Sequence, residues 1–302
     1  MKAYAAAASS RFRSAFQYRA AAAAGIACQG FWGLILIMGL EAFYAASAGG
    51  VGTAGASGAV GMAGGAPRLG ASWLGLANGA AAVPPLSSMI SYIWLGQAFL
   101  VLTPWGPDPE VRDTIRTGSV AIELLKPLDL YSFWLSKALG LKAAQLSLRA
   151  LPVLIFGGFL MPLVCLGDYR LSPPPTLGHF FAFLVSLVAA LFLCAAVVGI
   201  FDILLFRTVS AVGATSLAAS LVSLGSGLLV PLPVLPPALG STLKLLPFSG
   251  LADAPFRFWT GIAPLATLPA SLAHQVGWTI VLVAAGRAVV RRELLRLDIL
   301  GG

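Results

Sequence analysis

Charged residues are scarce in this 302-residue sequence: they make up 10% of it, whereas a soluble domain carries about a quarter. Hydrophobic residues reach 58%, and the mean hydropathy is +0.90. This composition excludes a soluble globular enzyme, a disordered chain and a nucleic-acid-binding domain as first interpretations. The net charge of +8 fits basic loops that fix the orientation of a membrane protein.

Cysteine and histidine are also rare, and familiar catalytic motifs are missing. Cys28, Cys165 and Cys194 lie in apolar runs, so we interpret them as small buried side chains and not as a disulfide framework. His179 and His274 stand near the outer ends of predicted spans, without metal-ligand spacing around them. Neither G-x-x-x-x-G-K-[ST] nor G-x-S-x-G is present. We therefore expect no cofactor in this chain and no enzymatic activity of its own.

Six apolar stretches approach the roughly 20 residues that a membrane-spanning helix needs. They cover residues 24–47, 86–105, 143–166, 179–205, 211–230 and 268–290. The first follows a basic arm and could be taken for a signal peptide, but it is too long and has no A-x-A site in place. The sequence therefore predicts an all-α membrane protein, one domain of six transmembrane helices over residues 1–302.

Lysine and arginine predict the orientation of these spans. Fourteen of the 19 fall in the N-terminal arm, the loop between spans two and three, Arg207, and the C-terminal tail. Four fall on the other side, and Arg149 is left unassigned. Both termini are then cytoplasmic, which requires an even number of spans.

Three segments between the spans have distinct compositions. Residues 49–82 are rich in glycine and alanine, which predicts a flexible outer loop. Residues 231–263 are apolar but broken by prolines, which predicts short re-entrant helices with Phe256, Phe258 and Trp259 at headgroup level. Residues 106–140 form the third segment, a cytoplasmic loop with helix-capping signals.

The capping signals in that loop predict short helices that are marginal without a partner surface. Asp108 precedes Pro109 and Glu110, an arrangement typical of a helix start. Gly118 predicts the end of this helix. Ser119 and Asp129 can cap two further helices, and the second of these leads into the third span.

Three charged residues fall inside predicted spans: Glu41, Arg149 and Asp202. A charge at the bilayer centre costs roughly 2.5–3.5 kcal/mol on insertion scales. Each is either a pathway-lining or interhelix charge, or an interfacial charge whose side chain reaches the headgroups.

Several strings, in order along nearly the whole chain, resemble the ABC-2 type transporter permeases. They are YIWLGQAFL (92–100), SGLLVPLPVLPPAL (226–239), LPFSGLADAPFRFWTG (246–261) and GRAVVRRELLRLDILGG (286–302). The most specific is R-T-G-x-V-A-x-E-L-L-K-P-L-D, from Arg116 to Asp129. The resemblance is to the bacterial subgroup of paired permeases with a separate ATPase. The Gly/Ala-rich insertion at 49–79 is longer than this family leads us to expect.

The resemblance implies ATP-driven export across the bacterial inner membrane. Partner ATPase subunits would bind ATP and Mg, a second permease, identical or related, would complete the pathway, and lipids would surround it. Residues 1–22 would hold an interfacial helix, with Phe12, Phe16 and Tyr18 toward lipid and Arg11, Arg13 and Arg19 toward phosphates. Residues 108–130 would couple to the ATPase through Asp108, Glu110, Arg112, Asp113, Arg116, Gly118, Glu123, Lys126, Pro127 and Asp129. The alternatives are an ion-coupled secondary transporter and an intramembrane lipid-modifying enzyme.

Overall fold

The computed structural model describes residues 2–52, 84–164, 166–207 and 212–296, and these contain helices but no strand. Most of the predicted flexible loop, residues 53–83, lies outside the described residues, as do Cys165 and residues 297–302. Residues 49–52, which we assigned to the loop, are the last turn of a helix.

Eleven α-helices, numbered here in chain order, make up the described fold. They are α1 (Lys2–Ala15), α2 (Arg19–Gly52), α3 (Leu86–Ala98), α4 (Pro109–Arg116), α5 (Val120–Leu124), α6 (Leu130–Ile155), α7 (Leu177–Arg207), α8 (Val212–Gly225), α9 (Pro237–Leu245), α10 (Asp253–Trp259) and α11 (Leu268–Arg296). Helix α6 continues through a π-helical turn, Phe156–Leu160, into a last turn, Met161–Leu163. Short 3-10 turns occupy several of the connections.

Four helical stretches are long and apolar enough to cross a membrane. They are Ala27–Ala45, Leu130–Leu163, Leu177–Leu205 and Leu265–Leu294, which match the first, third, fourth and sixth predicted spans. The second and fifth predicted spans contain helices of only 13 and 14 residues. At 1.5 Å per residue, 13 residues cover about 20 Å, which is less than a typical hydrocarbon core. The six-span count stays a prediction.

Helix α3 lies at the centre of the main hydrophobic core. Every residue from Met89 to Ala98 is buried, against α2, α6 and α10. Helix α10 approaches it through Tyr92 and Phe256, whose ring centroids are 5.3 Å apart. A central helix shielded by its neighbours does not itself need the length of a lipid-exposed span.

The aromatic residues of the proline-broken segment correct one prediction. Phe256 and Phe258 are both fully buried in the protein core, so they do not contact lipid headgroups, and Trp259 is half-buried. The segment folds over α3 and α7, and the Trp259 indole donates to the Ser172 carbonyl at 2.9 Å. The short helices α9 and α10 are present, while their depth in a membrane stays a prediction.

The N-terminal helix α1 packs along the start of α6. Gly140 makes this possible, because a Cβ atom at that position would overlap the carbonyl oxygen of Ala8. The Tyr4 hydroxyl accepts the backbone N–H of Asp129 at 3.1 Å. Cys194 is buried as predicted, but Cys28 is exposed on α2, and both are free thiols.

Candidate functional site

Residues 108–130, here called the 108–130 segment, contain α4 and α5 and connect α3 to α6. The Asp108 carboxylate accepts the Glu110 N–H at 2.8 Å, with Pro109 at the first helical position. Gly118 follows the end of α4 with a φ of +73°, a left-handed conformation that favours glycine. The sequence predicted each of these features.

The other two predicted caps differ in outcome. Asp129 caps α6 and accepts the Ser132 N–H at 3.0 Å. Ser119 precedes α5, but no side-chain capping bond forms there, and its hydroxyl lies 2.7 Å from that of Thr117. The capping role predicted for Ser119 is therefore wrong.

Asp108 joins three parts of the fold. Its buried carboxylate pairs with Arg11 Nη2 of α1 at 2.7 Å, and Arg11 Nη1 lies 2.7 Å from Glu110. Its backbone N–H donates to the Asp202 carboxylate of α7 at 2.8 Å. Arg11 therefore binds these carboxylates and not lipid phosphates, which corrects our prediction. Asp202 makes an interhelix contact with the 108–130 segment.

A second ion-pair group lies on α6. Lys137 Nζ is 3.0 Å from Glu110 and 2.7 Å from Glu123, and the Trp134 indole donates to Glu123 at 2.8 Å. Glu123 faces inward because it is three residues after buried Val120, on the same side of α5. The resemblance implied that Glu123 couples to the ATPase, but its described contacts are with Lys137 and Trp134 of α6.

The third contact joins the segment to α11. Arg287 Nε lies 3.4 Å from Asp129. Burial acts to raise the pKa of the Asp129 carboxyl, but the hydrogen bonds from Ser132 and the charge of Arg287 together lower this pKa below its ordinary value. The 108–130 segment is thus tied to α1, α6, α7 and α11.

The opposite face of the segment is exposed. Ile122 is 64% exposed and Leu125 is 84% exposed. Neither was among the predicted coupling residues; those of the predicted set that are exposed are Arg112, Asp113, Arg116, Gly118, Lys126 and Pro127. Arg112 lies 3.6 Å from Asp113, and the Lys126 amine lies 5.1 Å from the centre of the Phe133 ring. This face, here called the exposed coupling face, has large apolar side chains among mainly basic ones.

The remaining two candidate charges lie elsewhere. Glu41 of α2 accepts the Tyr169 hydroxyl at 2.8 Å. Arg149 lines a cavity of about 510 Å³ together with Lys142 and residues of the 108–130 segment. The structure therefore does not bring Glu41, Arg149 and Asp202 into one site.

Sequence reasoning missed several buried polar contacts. The partnership of Lys137 with Glu123 is one, because 14 residues separate them and no motif signals the pair. Gln275 of α11 is another: its amide group donates to the carbonyls of Ser186 at 3.0 Å and Gly250 at 2.7 Å. Within the ranges that the structure describes, no His, Cys, Asp and Glu side chains cluster in a way that could hold a metal ion.

Helices long enough to cross a membrane several times, joined by a compact polar segment, define a multi-pass membrane protein. The family described as ABC-2 family transporter protein matches residues 88–301, more than half of the chain. The chain therefore belongs to the ABC-2 transporter family and is a membrane transport component, not an enzyme. Members of this family typically function with an ATPase partner. No curated protein and no solved structure matches the chain.

Proposed function

We propose that this chain is the permease subunit of an ATP-driven exporter in the bacterial inner membrane. Separate ATPase subunits bind ATP and Mg, and a second permease, identical or related, completes the pathway. Both termini and the 108–130 segment lie in the cytoplasm. Family membership supports the transport role. The observation that carries the proposal is the exposed coupling face, where Leu125 is 84% exposed on a segment whose other side is fixed by ion pairs.

The side of the 108–130 segment that is held by ion pairs provides a mechanism for coupling. When the ATPase subunits close on ATP, they displace α4 and α5. Arg11, Lys137 and Asp202 tie these short helices to α1, α6 and α7, so the displacement passes to the long helices as a rigid-body movement. Without such ties the loop would bend and absorb the movement.

The two alternative functions have less support. An ion-coupled carrier requires an acidic residue that binds ions near the middle of the membrane. The two acidic candidates already have partners within the protein. Asp202 accepts a backbone N–H from the 108–130 segment, and Glu41 accepts a hydrogen bond from the Tyr169 hydroxyl. An intramembrane metalloenzyme requires a metal-binding cluster, and the described residues contain no group of His, Cys, Asp and Glu side chains that could hold a metal ion.

Copurification tests the coupling proposal. Leu125→Asp should abolish copurification of the ATPase encoded beside this gene while the permease still inserts, because the charge replaces an apolar contact. Leu245→Asp is the matched control, since Leu245 is 73% exposed but lies on α9. Retention of the ATPase by Leu125→Asp at the level of the control would contradict the proposal.

Cysteine labelling tests the orientation. A cysteine at position 172 should react with an impermeant reagent in intact cells. A cysteine at position 113 should react only after permeabilisation, and its labelling in intact cells would refute the cytoplasmic placement of the segment.

A further inference from the structure

The cavity that contains Arg149 has a basic wall. It lies between the turns that follow α3, the start of α4, and helices α6, α7 and α8. Lys142, Gln145 and Arg149 line it from α6, and Arg112 lines it from α4. The three α6 residues are three and four positions apart, so they share one face of the helix.

The positive charge of this wall is incompletely compensated. Asp108 also lines the cavity, but its carboxylate is held by Arg11 at 2.7 Å. The Lys142 amine donates to the Val101 carbonyl at 3.3 Å. Among the described residues, no carboxylate forms an ion pair with Arg149. A half-buried guanidinium in a membrane-spanning helix is costly without an anion beside it.

A second, apolar cavity of about 590 Å³ is lined by α3 itself and by the residues that follow α8. It is lined by Ile93 and Gln97 of α3, by Phe43 of α2, and by residues around Leu228 after α8. The basic cavity reaches Val101 beyond α3 and Thr215 on α8. Ile93 lies on α3, and Val101 lies in the 3-10 turn that follows the end of α3 at Ala98. The basic cavity and the apolar cavity therefore contact neighbouring parts of the same two chain segments, α3 with the turn after it and α8 with the residues after it.

We propose that the transported substrate is an anionic amphiphile, which is a step that rests on the proposed function. Its phosphate or carboxylate headgroup binds Arg149 and Lys142. Its apolar part extends along α3 toward the second cavity. The positive charge of the basic cavity selects an anionic headgroup, and the apolar cavity accommodates the remainder of the molecule.

Trp105 provides the readout, because it lines the basic cavity and is 60% exposed. The full chain, purified in a neutral detergent, is titrated with dodecyl phosphate brominated beside its headgroup, which quenches a nearby indole. Trp105→Phe identifies the part of the signal that comes from the cavity. Brominated dodecyl trimethylammonium, with the opposite charge, and inorganic phosphate complete the set of probes.

Arg149→Gln should weaken binding of the brominated dodecyl phosphate about tenfold or more, because a charge-assisted hydrogen bond is lost. Arg149→Lys should retain most of the binding, which separates lost charge from lost folding. Arg292→Gln is the matched control, since Arg292 is exposed on α11 and does not line the cavity. Inorganic phosphate should compete only at far higher concentration than dodecyl phosphate.

Equal quenching by the cationic analogue, or unchanged binding in Arg149→Gln, would overturn the anion site. Inorganic phosphate that binds as tightly as dodecyl phosphate would overturn the amphiphile and favour a soluble anion. The assay contains no ATPase, so its failure leaves the copurification result intact. Loss of the ATPase interaction would likewise leave the binding result standing.

Discussion

The ion pair between Arg11 and Asp108 should hold helix α1 onto the rest of the protein. Arg11→Gln removes the guanidinium and leaves the Asp108 carboxylate, which is 1% exposed, without its charged partner. Loss of one partner from a buried ion pair costs about 3–5 kcal/mol. The Arg11 side chain is 21% exposed, so water reduces the cost to about 2–3 kcal/mol.

This cost should appear as local opening of α1. A loss of about 2–3 kcal/mol raises the opening equilibrium roughly 30- to 150-fold. Hydrogen exchange measured by mass spectrometry over residues 2–15 should therefore accelerate by that factor in Arg11→Gln. Arg13→Gln is the control, because Arg13 is exposed on the same helix, and its exchange should stay within about twofold of wild type.

A double variant separates the pair from general damage. In Arg11→Gln with Asp108→Asn, no buried charge is left unpaired, and asparagine still caps α4. Exchange in α1 should return most of the way to the wild-type rate. If Arg11→Gln exchanges like Arg13→Gln, or if the double variant exchanges faster than Arg11→Gln, the ion pair does not anchor α1.

Three further perturbations test other contacts. Gly140→Ala should displace α1 and accelerate its exchange, whereas Gly158→Ala should not, because a Cβ atom there meets nothing within 4 Å; equal rates would contradict the packing. Gln275→Leu leaves the buried Gly250 carbonyl without its Gln275 donor and should lower stability in detergent by about 1–3 kcal/mol, seen as a lower thermal midpoint; an unchanged midpoint would contradict this. The lowered pKa of Asp129 means that its stabilising contribution is present above its unfolded pKa of about 3.9 and is lost as pH falls through the lower folded pKa. The protection factor at the start of α6, which removes the pH dependence of intrinsic exchange, should therefore fall in acid in wild type but not in Asp129→Asn, and a parallel fall in both would refute the role.

The helix caps were predictable because the chemistry that creates them is local. Asp108 and Asp129 bond to N–H groups only two and three residues ahead, so the order of residue types is sufficient evidence. Ser119 shows the limit of this reasoning, because the Thr117 hydroxyl two residues earlier competes for the same side chain. The sequence does not indicate which bond forms.

The predicted spans correspond to long helices only where the helix can cross the full thickness of the hydrocarbon core. The four long apolar helices overlap their predicted spans because a helix that crosses the hydrocarbon must cover its thickness, even where protein surrounds much of it, as in Leu177–Leu205. Helix α3 ends at Ala98, seven residues before its predicted limit. Its residues are as apolar as those of a span, but protein covers them on all sides, and hydropathy does not distinguish the two environments.

Long-range ion pairs could not be predicted from the sequence, because they depend on how distant helices pack together. Arg11 and Asp108 are 97 positions apart, and both were assigned to other partners, lipid phosphate and the ATPase. Both assignments were what the family resemblance implied. The pairing depends on the packing of α1 against α6, which in turn depends on the missing side chain of Gly140.

In a short surface helix, charged side chains usually face the solvent and apolar ones face the protein. Helix α5 and the residue that follows it reverse this pattern, and the reversal bears on function. Charged Glu123 faces inward and binds Lys137, while Leu125, which follows the helix, is 84% exposed. Burial of a leucine side chain is worth about 1.5–3 kcal/mol, so its exposure to water forgoes that stabilisation. Ile122 forgoes a similar contribution. The ion pair of Glu123 does not require Ile122 and Leu125 to be exposed, whereas a protein partner that covers these two side chains recovers the lost burial. The reversal therefore favours a docking role for α5 over that of a solvated connector.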